Sequence, residues 1–250
     1  MSTQNAAGDP PIALNPDLDE VGLRERFDAT SRVQIKDALH PDTAERLYSC
    51  LTQEMPWLLA YNEDRAPKYL QPAEMASMGP QQLNALMQQI FQNAARGFQF
   101  VYLDFPVSGT AHIEGQPRFY THDVLDFLNG EIFRGLVSRI TGVAGDLEVD
   151  AHATCYQSGH FLTNHNDVTD PTDTRELAYV INMTKDWRAD WGGKTEFFDE
   201  NEYVIESFVP TFNTITMFKV PQPHAVSFVV PFCQSRRVAM TGWLFRPLES

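Results

Sequence analysis

From Gly145 to the C-terminus the chain is a succession of short β segments with no helix between them, and no other feature limits the fold so strongly. Eight segments can be marked: Leu147–Tyr156, His160–Asn164, Leu177–Thr184, Lys194–Phe198, Tyr203–Ser207, Asn213–Val220, Ala225–Val230 and Arg237–Phe245. Clusters of Pro, Gly, Asn and Asp separate them. The first alternates cleanly, with Leu147, Val149, Ala151, Ala153 and Cys155 on one side and Glu148, Asp150, His152, Thr154 and Tyr156 on the other. That is the pattern of a strand with one face in a core. Short strands joined by turns rather than crossover helices build a sandwich, a jelly roll or a barrel.

The N-terminal part differs. Residues 1–17 are polar and aperiodic and are expected to form a flexible arm. Residues 18–145 are expected to be mostly helical with a few strands. A short strand is expected around Val33–Leu39, followed by a helix opening at Pro41 with Ala44, Leu47, Tyr48 and Leu51 at helical spacing. A second helix starts near Pro80, carries Leu83, Leu86, Met87, Ile90, Phe91 and Ala94 as its stripe, and stops at Gly97. Phe98–Tyr102 reads as a strand, and Thr121–Gly142 as helix with a break at Gly130. The expected architecture is α+β, one compact domain in which a helical half packs on a β core spanning 146–250.

A hydrophobic share of 43% suffices for a sizeable core. The formal charge of −14 argues against a broad basic surface for nucleic acid and would attract a basic protein or peptide. Cys50, Cys155 and Cys233 are few and far apart, which suits a reducing compartment. The first residues carry no basic-then-apolar leader pattern, and no apolar run reaches membrane-span length, so the cytoplasm and no membrane partner are expected.

Metal-ligating types appear at His165-Asn166-Asp167. In an extended segment positions i and i+2 point the same way, so an imidazole and a carboxylate would converge on one ion. One H-x-D carries little weight. His40-Pro41-Asp42 is a second and reads as a helix opening; His112-Ile113-Glu114 is a relative in a Gly- and Pro-bounded stretch; His122-Asp123 falls in a first helical turn. Only His165 and Asp167 lie in the β region, and His224 is the only histidine beyond them. Arg237 opens an otherwise apolar final strand, where a buried cation needs an anion and a guanidinium can clasp a carboxylate. Arg236 is its rival.

In order, the chain presents Tyr156, His165-Asn166-Asp167, Tyr179-Val180-Ile181-Asn182 with Trp187 beyond, Gly192-Gly193, Pro210-Thr211-Phe212-Asn213 leading to Phe218, His224-Ala225-Val226, and Arg237–Trp243. This string resembles the iron(II)- and 2-oxoglutarate-dependent oxygenases, specifically their prolyl-hydroxylase branch, over Leu147–Phe245. The resemblance implies a double-stranded β-helix (jelly roll, cupin-like) core. It implies Fe(II) held by His165, Asp167 and His224, the distal carboxylate of 2-oxoglutarate on Arg237, and a hydrogen bond to that cosubstrate from Tyr156. It further implies use of O2, ascorbate as an accessory, and hydroxylation of a prolyl residue in a protein or peptide with release of succinate and CO2. Two alternatives stand beside this: a hydroxylase of a free amino acid or small metabolite, and a non-catalytic metal-binding jelly roll acting as a sensor or interaction module. The loops 166–176 and 185–191 are read as candidate substrate equipment, and His152 and His160 as structural or substrate-side. The carbon oxidised and the oligomeric state stay open.

Overall fold

The computed structural model describes residues 8–247 apart from 112, 114, 116, 169 and 171; the His112–Glu114 pair therefore lies outside the described residues. Helix α1 (Glu20–Thr30) leads into β1 (Arg32–Lys36) and α2 (Pro41–Gln53). A hairpin of β2 (Leu58–Glu63) and β3 (Ala66–Leu70) follows, then α3 (Pro72–Ser77), α4 (Pro80–Ala94) and β4 (Phe100–Phe105). Three helices, α5 (Val107–Thr110), α6 (Tyr120–Leu128) and α7 (Glu131–Thr141), complete this half.

The rest is strand and turn: β5 (Glu148–Val149), β6 (His152–Tyr156), β7 (Phe161–His165), β8 (Arg175–Asn182), β9 (Thr195–Phe198), β10 (Val204–Phe208), β11 (Thr214–Lys219), β12 (His224–Val226) and β13 (Arg237–Phe245). The ladder runs β1-β11-β8-β13-β6-β4-β7-β12-β9-β10, antiparallel throughout, an almost closed barrel of the jelly-roll type. Its corner is held by β4, whose residues 103–105 pair with β6 while Phe100 and Val101 pair with β7.

The alternating segment behaves as read: Leu147, Val149, Ala151, Ala153 and Cys155 are all buried in the main core with Ile181, Met217 and Met240. It is broken into β5 and β6, since Asp150 accepts the Trp243 backbone N–H in its carboxylate and the Tyr179 hydroxyl at its carbonyl. Four expectations shift. The strand near Val33 begins at Arg32 and ends at Lys36, and the one near Phe98 lies two residues later as β4. The helix from Pro80 ends at Ala94 with Ala95 still right-handed, before Gly97. Helix α6 is capped at Phe119 rather than at Thr121, with the His122 ring accepting the Phe119 N–H at 3.0 Å. The break at Gly130 and the opening at Pro41 are where the sequence puts them, with His40 as N-cap.

Candidate metal centre

Two strands of the barrel bring the histidines together. His165 ends β7, His224 begins β12, and the two are direct cross-strand partners. A carbonyl oxygen can only accept, so the contacts from His165 Nδ1 to the Thr163 carbonyl (2.9 Å) and from His224 Nδ1 to the Gln222 carbonyl (2.8 Å) fix each proton on Nδ1. Both Nε2 lone pairs are thereby left for a metal.

Asp167 arrives differently from the sequence expectation. β7 stops at His165, and Asp167 sits in a turn with φ 67°, so the carboxylate is brought round by left-handed backbone and not by strand alternation. Aspartate tolerates that region better than most residues. The turn is fastened by Asn166, whose Oδ1 accepts the Val168 N–H at 3.2 Å, and by Arg175, which donates to the Asp167 carbonyl. Arg175 in turn lies 4.2 Å over the Trp243 ring. Asp167 Oδ1 is 3.3 Å from His165 Nε2, and Oδ2 is 3.6 Å from His224 Nε2. One ligand atom from each of the three residues falls within 4.8 Å of the others, the only such group among the described residues. Burial pushes the Asp167 carboxyl up, but the neighbouring His165 and His224 rings, with a smaller effect of the Trp243 side chain, outweigh it and hold the group below its ordinary value. Burial first, and His165 second, push His224 down to about 4. Asp167 is thus kept as an anion and His224 as a neutral donor, the charge states in which a carboxylate and an imidazole bind a divalent ion.

A cavity of about 90 Å³ runs inward from these three residues into the barrel. Its far end is built by adjacent strands: Arg237 of β13 pairs in register with Tyr156 of β6, so both side chains leave the same face. The guanidinium is 3% exposed and lies 5.1 Å over the Tyr156 ring. Nη2 reaches Thr195 Oγ1 at 3.4 Å, while Nε and Nη1 have no hydrogen-bond partner among the described residues. Burial lowers its pKa, against a smaller opposing effect of Tyr156. A buried, half-unsatisfied cation is costly unless an anion completes it. Arg236, by contrast, is exposed.

Several wall residues carried no sequence signal. Tyr102 stacks on Tyr156 at 5.0 Å and borders both the cavity and an outer groove. Thr195 offers its hydroxyl to Arg237. Tyr102 meets Tyr156 through the pairing of β4 with β6, whereas Thr195 of β9 meets Arg237 of β13 across the barrel, between strands that are not neighbours. The segment 185–191 packs behind the arginine instead of over the metal. Trp187 donates Nε1–H to the Gly192 carbonyl at 3.0 Å, and a Cβ on Gly193 would lie 3.0 Å from the Trp187 ring and 3.7 Å from Arg237 Cδ. Part of the segment 166–176 is undescribed, and Arg175 belongs to β8. His152 is paired with Asp104, and His160 is buried with Nδ1 unpartnered.

The outer groove, about 480 Å³, begins at the ligands and is walled by Tyr69 of the β2–β3 hairpin, Phe98, Phe100 and Trp243. Tyr69 and Phe98 are 42% and 48% exposed, so the groove is open along its length.

Residues 151–245 match a protein family described as the 2OG-Fe(II) oxygenase superfamily. Over 124 residues the chain is 25% identical to prolyl 3-hydroxylase OGFOD1 of Mus musculus, an alignment covering 47% of this chain and 22% of that protein. The chain thus spans about a fifth of the length of this curated relative. Among solved structures, a 2OG-Fe(II) oxygenase family oxidoreductase from Burkholderia pseudomallei superposes with TM-score 0.61 at 12% identity, covering 95% of each chain. A Pseudomonas putida prolyl-4-hydroxylase gives 0.54 at 14%, covering 95% of this chain and 100% of that one. A Trichoplax adhaerens prolyl hydroxylase, solved with a hypoxia inducible factor peptide fragment, gives 0.56 at 14%, covering 90% and 88%. The fold is therefore that of the 2OG-Fe(II) oxygenases, and the chain resembles their prolyl-hydroxylase branch, as its motif string implied.

Proposed function

We propose that this chain, whose residues 151–245 carry the 2OG-Fe(II) oxygenase signature, is an Fe(II)- and 2-oxoglutarate-dependent dioxygenase hydroxylating a prolyl residue of a protein or peptide. One observation carries the reading. A buried guanidinium with two unpaired donors shares a cavity with two imidazole Nε2 atoms and a carboxylate. A dicarboxylate that binds metal at one end and needs a cation at the other fits both demands at once.

In this reading His165 Nε2, Asp167 and His224 Nε2 hold the iron, Arg237 and Thr195 receive the distal carboxylate, and the Tyr156 hydroxyl donates to the cosubstrate. When bound, iron, 2-oxoglutarate and dioxygen supply the oxidising power, yielding succinate, CO2 and a hydroxylated C–H position. The protein's own part is placement. Thr163 and Gln222 keep both imidazoles turned to the ion, and Arg175 holds the Asp167 turn. Tyr102 and Trp243 border cavity and groove alike and exclude water where they meet. The open groove favours a polypeptide over a free amino acid or metabolite. Three buried free thiols fit a reducing compartment, the cytoplasm by this reading.

The test is anaerobic addition of Fe(II), then 2-oxoglutarate. A weak metal-to-ligand charge-transfer band should appear, and on admission of air succinate should form. A metal-loaded protein with neither signal would be the sensor or interaction module instead.

A further inference from the structure

The groove outside the metal ligands runs against the charge of the whole protein. The chain carries 33 acidic and 19 basic residues, yet, His165 and Asp167 aside, the groove is lined by the basic side chains Arg65, His152 and Arg175 and by no further carboxylate. The one carboxylate on the wall is the ligand Asp167. Arg175 is engaged by the Asp167 carbonyl and by Asp173. Arg65 is not so occupied, and His152 is engaged through one ring nitrogen only. Arg65 stands at the tip of the β2–β3 hairpin with φ 64°, and its guanidinium has no ion pair or hydrogen bond among the described residues. His152 rises from β6 on the same face as Tyr156, four residues from it, so roughly 13 Å of strand separates the two positions. Its Nδ1 lies 3.1 and 3.2 Å from the oxygens of Asp104, a carboxylate only 1% exposed. Nδ1 is thus taken up by Asp104, and the other ring nitrogen is left to the groove that His152 lines. Burial disfavours the charged ring, but the Asp104 hydrogen bond and charge, with Asp150, outweigh it and raise the His152 pKa.

The groove does not end at Arg65. Asn62, Arg65 and Phe98 also line an adjoining hollow of about 630 Å³, where Arg96 has no side-chain partner among the described residues. One acid, Asp64, is present there. Two hollows in series, with free cations at their junction and beyond it, exceed the length of a single amino acid and suit an extended chain.

We infer that the substrate is an acidic polypeptide segment, with carboxylate side chains meeting Arg65 and His152 beside the oxidised residue and Arg96 further along. This rests on the reading of the site as a polypeptide hydroxylase. It assigns the partner a sign opposite to the one the net charge suggests, because the local field of a groove, not the distant surface, meets a bound substrate.

The test uses the anaerobic Fe(II)- and 2-oxoglutarate-loaded protein with matched fluorescein-labelled peptides that differ only in having Glu, Gln or Lys around a central proline. Fluorescence anisotropy should rank Glu over Gln over Lys, with roughly tenfold between the extremes at low salt and less at high salt. Arg65→Glu should invert the order, and Arg96→Glu should shrink it. A charge-swapped preference is not something a merely loosened hairpin would produce. Equal binding, preference for Lys, or binding of none of the three while the charge-transfer band forms would overturn the inference alone. Absence of the band in the unsubstituted protein would overturn the reading of the site, and the inference with it.

Discussion

His165 and His224 face each other across two antiparallel strands with ring centroids 4.1 Å apart, and the Asp167 carboxylate reaches one imidazole with each oxygen. Three donors so close are arranged for something placed among them. His165→Ala, Asp167→Ala and His224→Ala should each abolish iron retention, measured as metal content after desalting, and with it succinate production. His40→Ala should leave both unchanged, since that ring caps α2.

Arg237→Met should move two quantities in opposite directions. It removes an unpaired buried cation, so the metal-free protein should gain about 1–3 kcal/mol in urea unfolding. It also removes charge-assisted hydrogen bonds to the cosubstrate, weakening 2-oxoglutarate binding by about 1.5–3 kcal/mol per bond lost, or more than tenfold. Loss of both stability and binding would mean the arginine is a structural partner.

Acid sensitivity should trace partly to His160. Burial pushes its pKa down to about 4, only partly opposed by the Cys155 backbone. The folded value lies below the unfolded one, so the unfolded chain takes up the proton first. Stability is therefore whole above about pH 6.5 and is lost as pH falls toward 4, on the order of 3 kcal/mol from this group. His160→Met should flatten the dependence of the urea midpoint on pH in that window.

Gly192→Ala should be strongly destabilising. The position has φ 74°, and a Cβ there would stand 1.9 Å from the Phe228 carbonyl oxygen. The cost should be about 3 kcal/mol or more, read as a fall in melting temperature. Because the adjoining turn packs behind Arg237, 2-oxoglutarate binding should weaken as well.

Metal and cosubstrate should stabilise in sequence. Anaerobic Fe(II) should raise the melting temperature, and 2-oxoglutarate should raise it further only when metal is present. At about 100-fold above its dissociation constant each ligand contributes roughly 2.7 kcal/mol. A 2-oxoglutarate effect without metal would place that ligand elsewhere.

What could be read from the sequence followed pattern length. The strand Arg237–Phe245 has the bounds the sequence suggests, because a nine-residue run that is polar only at Arg237 and Thr241 leaves little ambiguity. The hairpin Leu58–Leu70 was not legible: its turn is Asp64-Arg65, both at positive φ, rather than a glycine pair. Helix α1 offered only Phe27 as a buried residue and no stripe to recognise. In the site, the ligand types and their order were visible, while the way Asp167 reaches the others was not, since it depends on a left-handed turn that H-x-D does not encode. Tyr102 could be found only once the pairing of β4 with β6 was known, and Thr195 only once the barrel had brought β9 opposite β13.

Strand β4 has a consequence for how such a chain can be handled. Its six residues come from the N-terminal half, yet they lace β6, which carries Tyr156, to β7, which ends in His165. The half that carries every chemical motif is therefore not a portable cassette. Cut at residue 145, it would leave the edges of β6 and β7 unpaired and Tyr156 without its stacking partner. Grafting this chemistry onto another scaffold means taking the lace along with the cloth.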